Sequence, residues 1–447
     1  MKQFTLEEKN EVLETPFIHI HRKLDVLLNI GKLLMECGAD TGRISSEIQQ
    51  AATFMGIPHS YLNIHISYTT IMINIFHQER SITVFRKTPV HIPNMAMINA
   101  VSKLTWRAFE RHYSLTTYER LMKKLQHTIP IYPDWLKGIA CSLGSAGLAF
   151  LYSADMIALA VTFICSLCGY FIRSLSQRLG FNEYLGNALC AFTAMFIAYG
   201  FYSFIELGSL VYVLVCCTLF MIPGVPLINS VTDTINNHIL SGITRAIRTL
   251  LIVGSMTLGM AMALYFSPLP AFNFVDIKPH ILSIEQVIGS FVAAASFAVL
   301  FNAPTRLLPY IGLGGVLCVT LRNLMLLQYG FTLPGATFVG AAIMSIIFVK
   351  LSSWLHTSGP VLVVPSAISL MPGILLYRFL FDILHINSLN ESGLLYMAQN
   401  GTTGVLSIIG IAVGVAIPNV LAQRYLQKRK NQRTQELMAT RHASDGQ

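Results

Sequence analysis

Two hydrophobic periods follow one another along the first part of the chain. Across 24–55, Leu24, Leu27, Leu28, Leu34 and Met35 recur at helical spacing. The run Gly38-Ala-Asp-Thr-Gly-Arg43 interrupts them, and Asp40 or Thr41 offers an N-cap for a second helix through Ile44, Ile48 and Ala51-Ala52. The period then shortens to two. Residues 60–67, 69–77 and 81–86 alternate or are rich in Ile, Tyr, Thr and Val, with breaks at Tyr68-Thr69 and Gln78-Glu79-Arg80, which predicts a small antiparallel sheet. Residues 93–111 and 116–127 return to the helical period. Residues 1–133 therefore read as an α+β domain that closes in the Pro-containing linker 130–133.

Beyond the linker the periodicity gives way to continuous apolar runs. Ten are long enough to span a bilayer, which takes roughly 17–25 residues. They are 136–153, 155–173, 183–201, 207–226, 247–267, 284–304, 308–327, 334–351, 359–381 and 401–421. The fold expected is a polytopic α-helical membrane protein with ten transmembrane helices, preceded by the small α+β soluble domain.

Composition sharpens this. Of the 447 residues, 53% are apolar and only 12% charged, with a mean hydropathy of +0.56. Residues 1–134 hold 15 Lys+Arg and 12 Asp+Glu, whereas 135–420 hold 10 and 8 over more than twice the length. Residues 421–447 hold 6 and 2. Such a distribution excludes a disordered chain, a wholly soluble enzyme and nucleic-acid binding as the main role. The basic tail, 422–447, with Arg424, Lys428, Arg429, Lys430 and Arg433, marks the cytoplasmic side, and ten spans return the N-terminal domain to that side. The loops agree: Arg173, Arg178, Arg245, Arg248, Arg306 and Lys350 fall inside. Outside, Lys278, Arg322 and Arg378 are mixed with Asp155, Glu206, Asp276, Asp382 and Glu391. The net charge of +9 is thus a topology signal. Residues 1–22 contain no apolar core of a signal peptide. Seven of the eight cysteines lie in apolar runs, and Cys165-x-x-Cys168 has no second pair and no nearby histidine, so packing rather than metal or redox chemistry is expected.

A repeat runs through the apolar part. Pro223-Gly224 is followed by Leu227 and Asp233, and Pro372-Gly373 by Leu376 and Asp382, an offset of 149 residues. Arg173 and Arg322 obey the same offset, and Gly180-Phe181 and Gly330-Phe331 match at 150. The halves are 134–268 and 284–421. Five spans in each make the halves opposite in orientation, the inverted-repeat plan of secondary transporters. Pro lacks a donor N–H and Gly lowers helix propensity, so both Pro-Gly pairs predict broken helices, where transporters place substrate.

Polar residues gather beside the first break. Asn229, Thr232, Asp233 and Asn236 share one helix face. Two readings of Asp233 stand: an intramembrane carboxylate that binds an ammonium group or carries a proton, or a loop residue that is solvated or paired with Arg245. Asn302, before Pro304, is a second polar position. Arg378 and Asp382 are one turn apart and suited to pairing. His238 and His356 are placed as interfacial or satisfied histidines. The chain contains no Walker A motif, His-Glu-x-x-His, Asp-Asp-x-x-Asp or Gly-x-Ser-x-Gly, so ATP-driven transport and the common membrane-enzyme chemistries have no sequence support. A sensor with the N-terminal domain as output fits poorly with a repeat.

These motifs resemble one family. Gly38-Ala-Asp-Thr-Gly-Arg-Ile44, Pro223-Gly-Val-Pro-Leu-Ile-Asn-Ser-Val-Thr-Asp233, Ser241-Gly-Ile-Thr-Arg245 and Phe297-Ala-Val-Leu-Phe-Asn-Ala-Pro-Thr-Arg306 are similar to the threonine/serine exporter family, and 365–377 to its second Pro-Gly segment. One departure is Ser369-Leu-Met-Pro-Gly373, where the family usually has Pro-Leu-Val-Pro-Gly. The resemblance implies a bacterial inner-membrane protein with a cytoplasmic N-terminal domain and both termini cytoplasmic. It implies proton-driven export of small hydroxy amino acids, with no cofactor or metal. Related split-chain members resemble dicarboxylate exporters, which keeps a succinate-like substrate open. The expected partners are a small-molecule substrate and the bilayer, with a homo-oligomer open. The family's glycine-acidic-Arg motif maps to Gly38, Asp40 and Arg43, with Asp40 and Arg43 also readable as a folding pair. The expected substrate-binding residues are Pro223, Gly224, Asn229, Thr232, Asp233, Asn302, Pro372 and Gly373, with Asp233 as the proton-coupling group.

Overall fold

The computed structural model describes residues 6–77, 80–88, 92–129, 131–205, 210–266, 283–355, 357–384 and 386–445. The expected turn at 78–79, the loop around 273–281 and the positions of Glu206, Asp276, Lys278 and His356 lie outside them. The chain divides into two compact units. One comprises 1–130 with 236–241 and 425–447, the other 131–235 with 242–424.

The first unit follows the two periods of its sequence. Helices α1 (Leu6–Glu36) and α2 (Thr41–Phe54) precede an antiparallel sheet of β1 (Leu62–Ile66), β2 (Thr70–His77) and β3 (Arg80–Lys87), ordered β1-β2-β3. Helices α3 (Met95–Glu110) and α4 (Leu115–Thr128) follow. Leu24, Leu27, Leu28, Leu34 and Met35 are all buried, as their spacing predicts. Ile71, Ile73 and Ile75 of β2 point into the same core while Met72 and Phe76 point out, the alternation of a half-buried strand. A Cβ on Gly31 would lie 2.8 Å from the Cδ1 of both Ile48 and Ile71, so a glycine is what lets α1, α2 and β2 meet. Gly38, at φ +77°, ends α1, and the Asp40 side chain caps α2 by accepting the Arg43 N–H at 2.9 Å.

The second unit is helical. Its elements are α5 (Asp134–Leu151), α6 (Met156–Arg178), α7 (Glu183–Phe204), α8 (Leu210–Leu219), α9 (Gly224–Ile235) and α10 (Ile239–Phe266), then α11 (Ile284–Leu300), α12 (Leu308–Leu327), α13 (Leu333–Trp354), α14 (Gly359–Ala367), α15 (Gly373–Leu384) and α16 (Glu391–Asp445). Its last helix, α16, and α10 each extend into residues of the first unit, 425–445 and 239–241. Among the described residues, six helical segments are long and apolar enough to cross a membrane: 156–178, 183–204, 239–266, 305–327, 333–354 and 391–422. Two bent pairs, 212–219 with 224–235 and 359–370 with 373–383, bring the number to as many as eight. The protein is therefore a helical membrane protein with six to eight candidate spans and a small N-terminal α+β region. The remaining two of the ten expected segments are α5 and α11. Helix α5 carries Asp134 and Lys137 in its first turn, and α11 has only 17 residues. These two pack on each other through small residues. A Cβ on Gly147 would lie 3.0 Å from the Ala293 nitrogen, and one on Gly144 would lie 3.3 Å from Ser296 Cβ. Helices that bury one another this closely need less apolar surface than helices facing lipid. Ile157, Leu175, Phe204, Leu250, Leu258 and Ile346, on other helices, are exposed, as residues facing lipid would be.

The sequence offset of 149 reappears in the packing. It carries Gly147–Ala293 onto Ser296–Gly144, so one contact occurs twice. Ser153 (φ 60°) and Asn302 (φ 55°), also 149 apart, end α5 and α11 in the left-handed region. The turn bonds match too: Ala154 N–H donates to the Ala149 carbonyl at 3.1 Å and Ala303 N–H to that of Ala298 at 2.9 Å. Serine bonds also tie helices in each half, without following the offset: Ser166 Oγ joins α6 to α8 by donating to the Cys217 carbonyl at 3.3 Å, and Ser366 Oγ joins α14 to α12 through the Ile311 carbonyl at 3.0 Å.

The α5–α11 crossing predicts a sharp contrast between two glycines. A Cβ on Gly289 would lie 2.6 Å from both the Gly147 oxygen and the Leu151 nitrogen, whereas one on Gly254 would meet nothing within 4 Å. Gly289→Ala should cost about 1–3 kcal/mol by overpacking, while Gly254→Ala should be neutral or stabilising. Thermal melting of the two variants in detergent checks this, and equal melting would overturn the account of the crossing.

Candidate functional site

The site begins with two interruptions of the backbone. Pro223 supplies no N–H, and the Gly224 N–H turns back to the Ile222 carbonyl at 2.8 Å. The Gly373 N–H does the same to Met371 at 2.9 Å. Helix then resumes through Leu227 N–H to Pro223 at 3.1 Å and Leu376 N–H to Pro372 at 3.2 Å. The axis bends by 64° at the first break and 53° at the second.

The two breaks lie against each other. A Cβ on Gly224 would sit 3.5 Å from Ile368 Cγ1 and 3.6 Å from Met371 Cε, while one on Gly373 would overlap the Leu219 side chain. Residues 219 and 224 plus 149 are 368 and 373, so these contacts are again one contact seen from both sides. The structure thus brings Pro223, Gly224, Pro372 and Gly373 together, as the repeat predicts. Leu219 and Ile368, which fill the crossing, carry no chemical signature and are not recognisable from sequence alone.

Beyond the first break, α9 buries its polar face. Asn229, Thr232 and Asp233 are all buried, Asp233 completely. Asp233 Oδ2 lies 2.9 Å from Arg245 Nε, with the two side chains 0% and 4% exposed. The carboxylate is therefore neither solvated nor free; of the alternatives left by the sequence, the pair with Arg245 is the one formed. The geometry is that of a charge contact, since this Nε makes no well-aligned hydrogen bond. Thr232 and Ser230 turn their hydroxyls onto their own helix, to Ile228 O at 2.9 Å and Leu227 O at 2.7 Å. One turn past Arg245, the Thr249 hydroxyl is buried with no hydrogen-bond partner among the described residues.

Asn302 serves elsewhere. Its Oδ1 accepts the Tyr132 N–H at 2.9 Å, and Tyr132 Oη donates to the Ala303 carbonyl at 2.9 Å. With its left-handed backbone it closes α11 and holds the linker, a helix-ending role that its polarity alone does not distinguish from ligand binding.

The motif in the first unit also has a local cause. Gly38 and Asp40 end one helix and start the next, and Asp40 bonds the Arg43 main chain rather than its guanidinium. Arg43 Nη2 instead donates to Ser102 Oγ at 3.5 Å, and Ser102 donates to Glu47. Within this unit a Cβ on Gly42 would lie 3.3 Å from Asn236 Nδ2, and Ser241 Oγ donates to the Ile66 carbonyl at 3.2 Å. Burial lowers the proton affinity of His238, and neighbouring Asp40 opposes that shift. No local pattern announces these contacts, because about two hundred residues of sequence separate the partners.

No group of three or more His, Cys, Asp or Glu that could hold a metal occurs among the described residues. Comparison with known families accounts for both halves. A family model described as "Putative threonine/serine exporter" matches residues 25–267, and one described as "Threonine/Serine exporter, ThrE" matches 286–421. The chain belongs to the threonine/serine exporter family. It is 26% identical over 243 residues to the "Probable succinate transporter subunit YjjP" of Escherichia coli K12, covering 53% of this chain and 91% of that protein. The protein of the same name in Klebsiella aerogenes is 24% identical over 245 residues, covering 53% and 93%. No solved structure matches.

The buried pair predicts a double-mutant signature. Asp233→Asn leaves Arg245 uncompensated and should cost about 3–5 kcal/mol. Adding Arg245→Gln should recover part of that loss, because no lone charge remains. Melting of the two single variants and the double checks it; strictly additive losses would mean the groups do not interact.

Proposed function

We propose that this exporter-family chain moves small zwitterionic hydroxy amino acids, threonine and serine, out of the cell by secondary active transport. The observation that carries this reading is the buried Asp233–Arg245 pair beside the first break. An amino acid brings a carboxylate and an ammonium. It can replace the mutual contact of the pair with two new ones at no change in net charge, each group taking its opposite. A dicarboxylate would satisfy Arg245 but set its second carboxylate against Asp233. Asn229, Thr232 and the backbone of both breaks, at Pro223-Gly224 and Pro372-Gly373, complete the site by hydrogen bonding to the substrate. Protonation of Asp233 would release Arg245, so Asp233 is the coupling group for a proton gradient.

Ten spans in two inverted five-helix repeats fit this mechanism. The support is the 149-residue correspondence of helix ends and break contacts, with α5 and α11 as shielded central spans. In this reading both termini lie in the cytoplasm of a bacterial inner membrane. The dicarboxylate reading is favoured by one finding, the name of the two relatives as probable succinate transporter subunits.

Proteoliposomes carrying an imposed proton gradient and labelled threonine, serine or succinate test the reading. Threonine and serine should move against their gradients, and Asp233→Asn should cut that flux at least about tenfold, the loss of one charge-assisted contact. Undiminished concentrative flux in Asp233→Asn would remove Asp233 from the mechanism. Succinate flux alone would establish the dicarboxylate reading, and no flux with any of the three would sink both. For topology, a cysteine placed within 273–281 should label from outside intact cells; labelling only after permeabilisation would reverse the orientation.

A further inference from the structure

A second polar position lies in the α6–α7 hairpin, away from the charges of the proposed transport pair. Asn187 is 1% exposed, and neither its amide nitrogen nor its amide oxygen has a hydrogen-bond partner among the described residues. A buried amide left with both ends open is costly, because neither group regains the hydrogen bonds it made to water. Arg173 Nε is likewise buried and unpartnered, and Arg173 makes no ion pair among the described residues.

The two side chains share a level. Antiparallel contacts bracket them on both sides: a Cβ on Gly186 would be 3.3 Å from Ser176 Cβ, and one on Gly169 would be 3.3 Å from Cys190 Sγ. Positions 169, 173 and 176 form one stripe of α6, while 187 and 190 form one stripe of α7. Arg173 therefore faces the turn that holds Asn187 and Cys190.

The other half shows what a satisfied version looks like. At the position 149 residues on, Arg322 Nε donates to Asn323 Oδ1 at 3.0 Å, and Asn323 Nδ2 donates to Gln286 Oε1 at 3.0 Å. There the arginine is closed off by amides of its own chain. In the first half the arginine and an amide stand open.

We propose that Arg173 and Asn187 form a binding site for a small carboxylate that carries a donor beside it, an amino or hydroxy acid. The Arg173 guanidinium and Asn187 Nδ2 donate to the carboxylate, and Asn187 Oδ1 accepts from the adjacent ammonium or hydroxyl. A bare oxyanion would leave Oδ1 unmet. The site does not depend on what the crossing of the breaks carries.

The test uses the full chain in phosphatidylcholine nanodiscs, with the transport pair neutralised by Asp233→Asn/Arg245→Gln and labelled serine as the probe. Serine should still bind saturably. Adding Arg173→Gln or Asn187→Leu should abolish that binding, Arg173→Lys should weaken it about tenfold by losing the planar fork, and Arg322→Gln should leave it intact. Asn187→Leu should melt no lower than its parent without ligand, because it removes an open buried amide, and gain nothing from serine. No binding in the pair-neutralised chain, or binding that survives Arg173→Gln and Asn187→Leu, would overturn the proposal. So would loss of serine binding when phosphatidylglycerol replaces part of the lipid, since the arginine would then belong to a lipid phosphate. Binding by wild type and the pair-neutralised chain with identical stoichiometry would instead count against the transport pair alone.

Discussion

Inside a bilayer a helix that stops must hand its unpaired backbone groups to protein, because lipid offers no partners. The second unit is built around that constraint. Each Pro-Gly break closes locally through a tight turn, from Gly224 to Ile222 and from Gly373 to Met371, and each is covered by the other. Gly224 admits Ile368 and Met371, and Gly373 admits Leu219. A Cβ at Gly373 would displace the Leu219 side chain from the crossing, whereas one at Gly224 would make ordinary contact with Ile368 and Met371. The bends that follow aim α9 and α15 away from the axes of the helices before them, and the polar face of α9 is buried as a result.

Burial then dictates the electrostatics. An isolated carboxylate at the position of Asp233 would be expensive, so it is met by Arg245 from the next helix. The two side chains bracket the turn between α9 and α10, which includes Asn237 in the left-handed region. The Asp233–Arg245 pair ties α10 to α9 across that turn. The same reasoning, applied to Arg173 and Asn187, gives the opposite outcome: polar groups are buried without hydrogen-bond partners among the described residues. Proteins tolerate such groups where a ligand completes them.

Much of this was legible in the chain. The change from period 3.6 to period 2 and back marks the first unit closely, with Thr70–His77 and Leu115–Thr128 within a residue of where the pattern sets them. The Gly38-to-Arg43 run reads correctly as a helix stop and start. The repeat of Pro-Gly at 149 residues locates both breaks, because Pro and Gly act on the backbone at their own positions. Apolar length overstates what α5 and α11 show by themselves. Asp134 and Lys137 dilute the apolar run of α5, and α11 is only 17 residues long, while the glycines of both helices mark close packing.

What the sequence by itself determined is therefore whatever a residue does to its own stretch of backbone: period, caps, breaks, and the division into a charged end and a charge-poor remainder. Only the tertiary structure decided which charges meet and which polar groups stay open. Asp233 read equally well as a solvated loop residue, and Asn302 as a ligand-binding amide. The fold pairs the first with Arg245 and uses the second to end a helix against Tyr132. The reason is physical. Whether a polar group is worth more paired or open depends on its burial and on neighbours far away in sequence, and neither is encoded at the position itself.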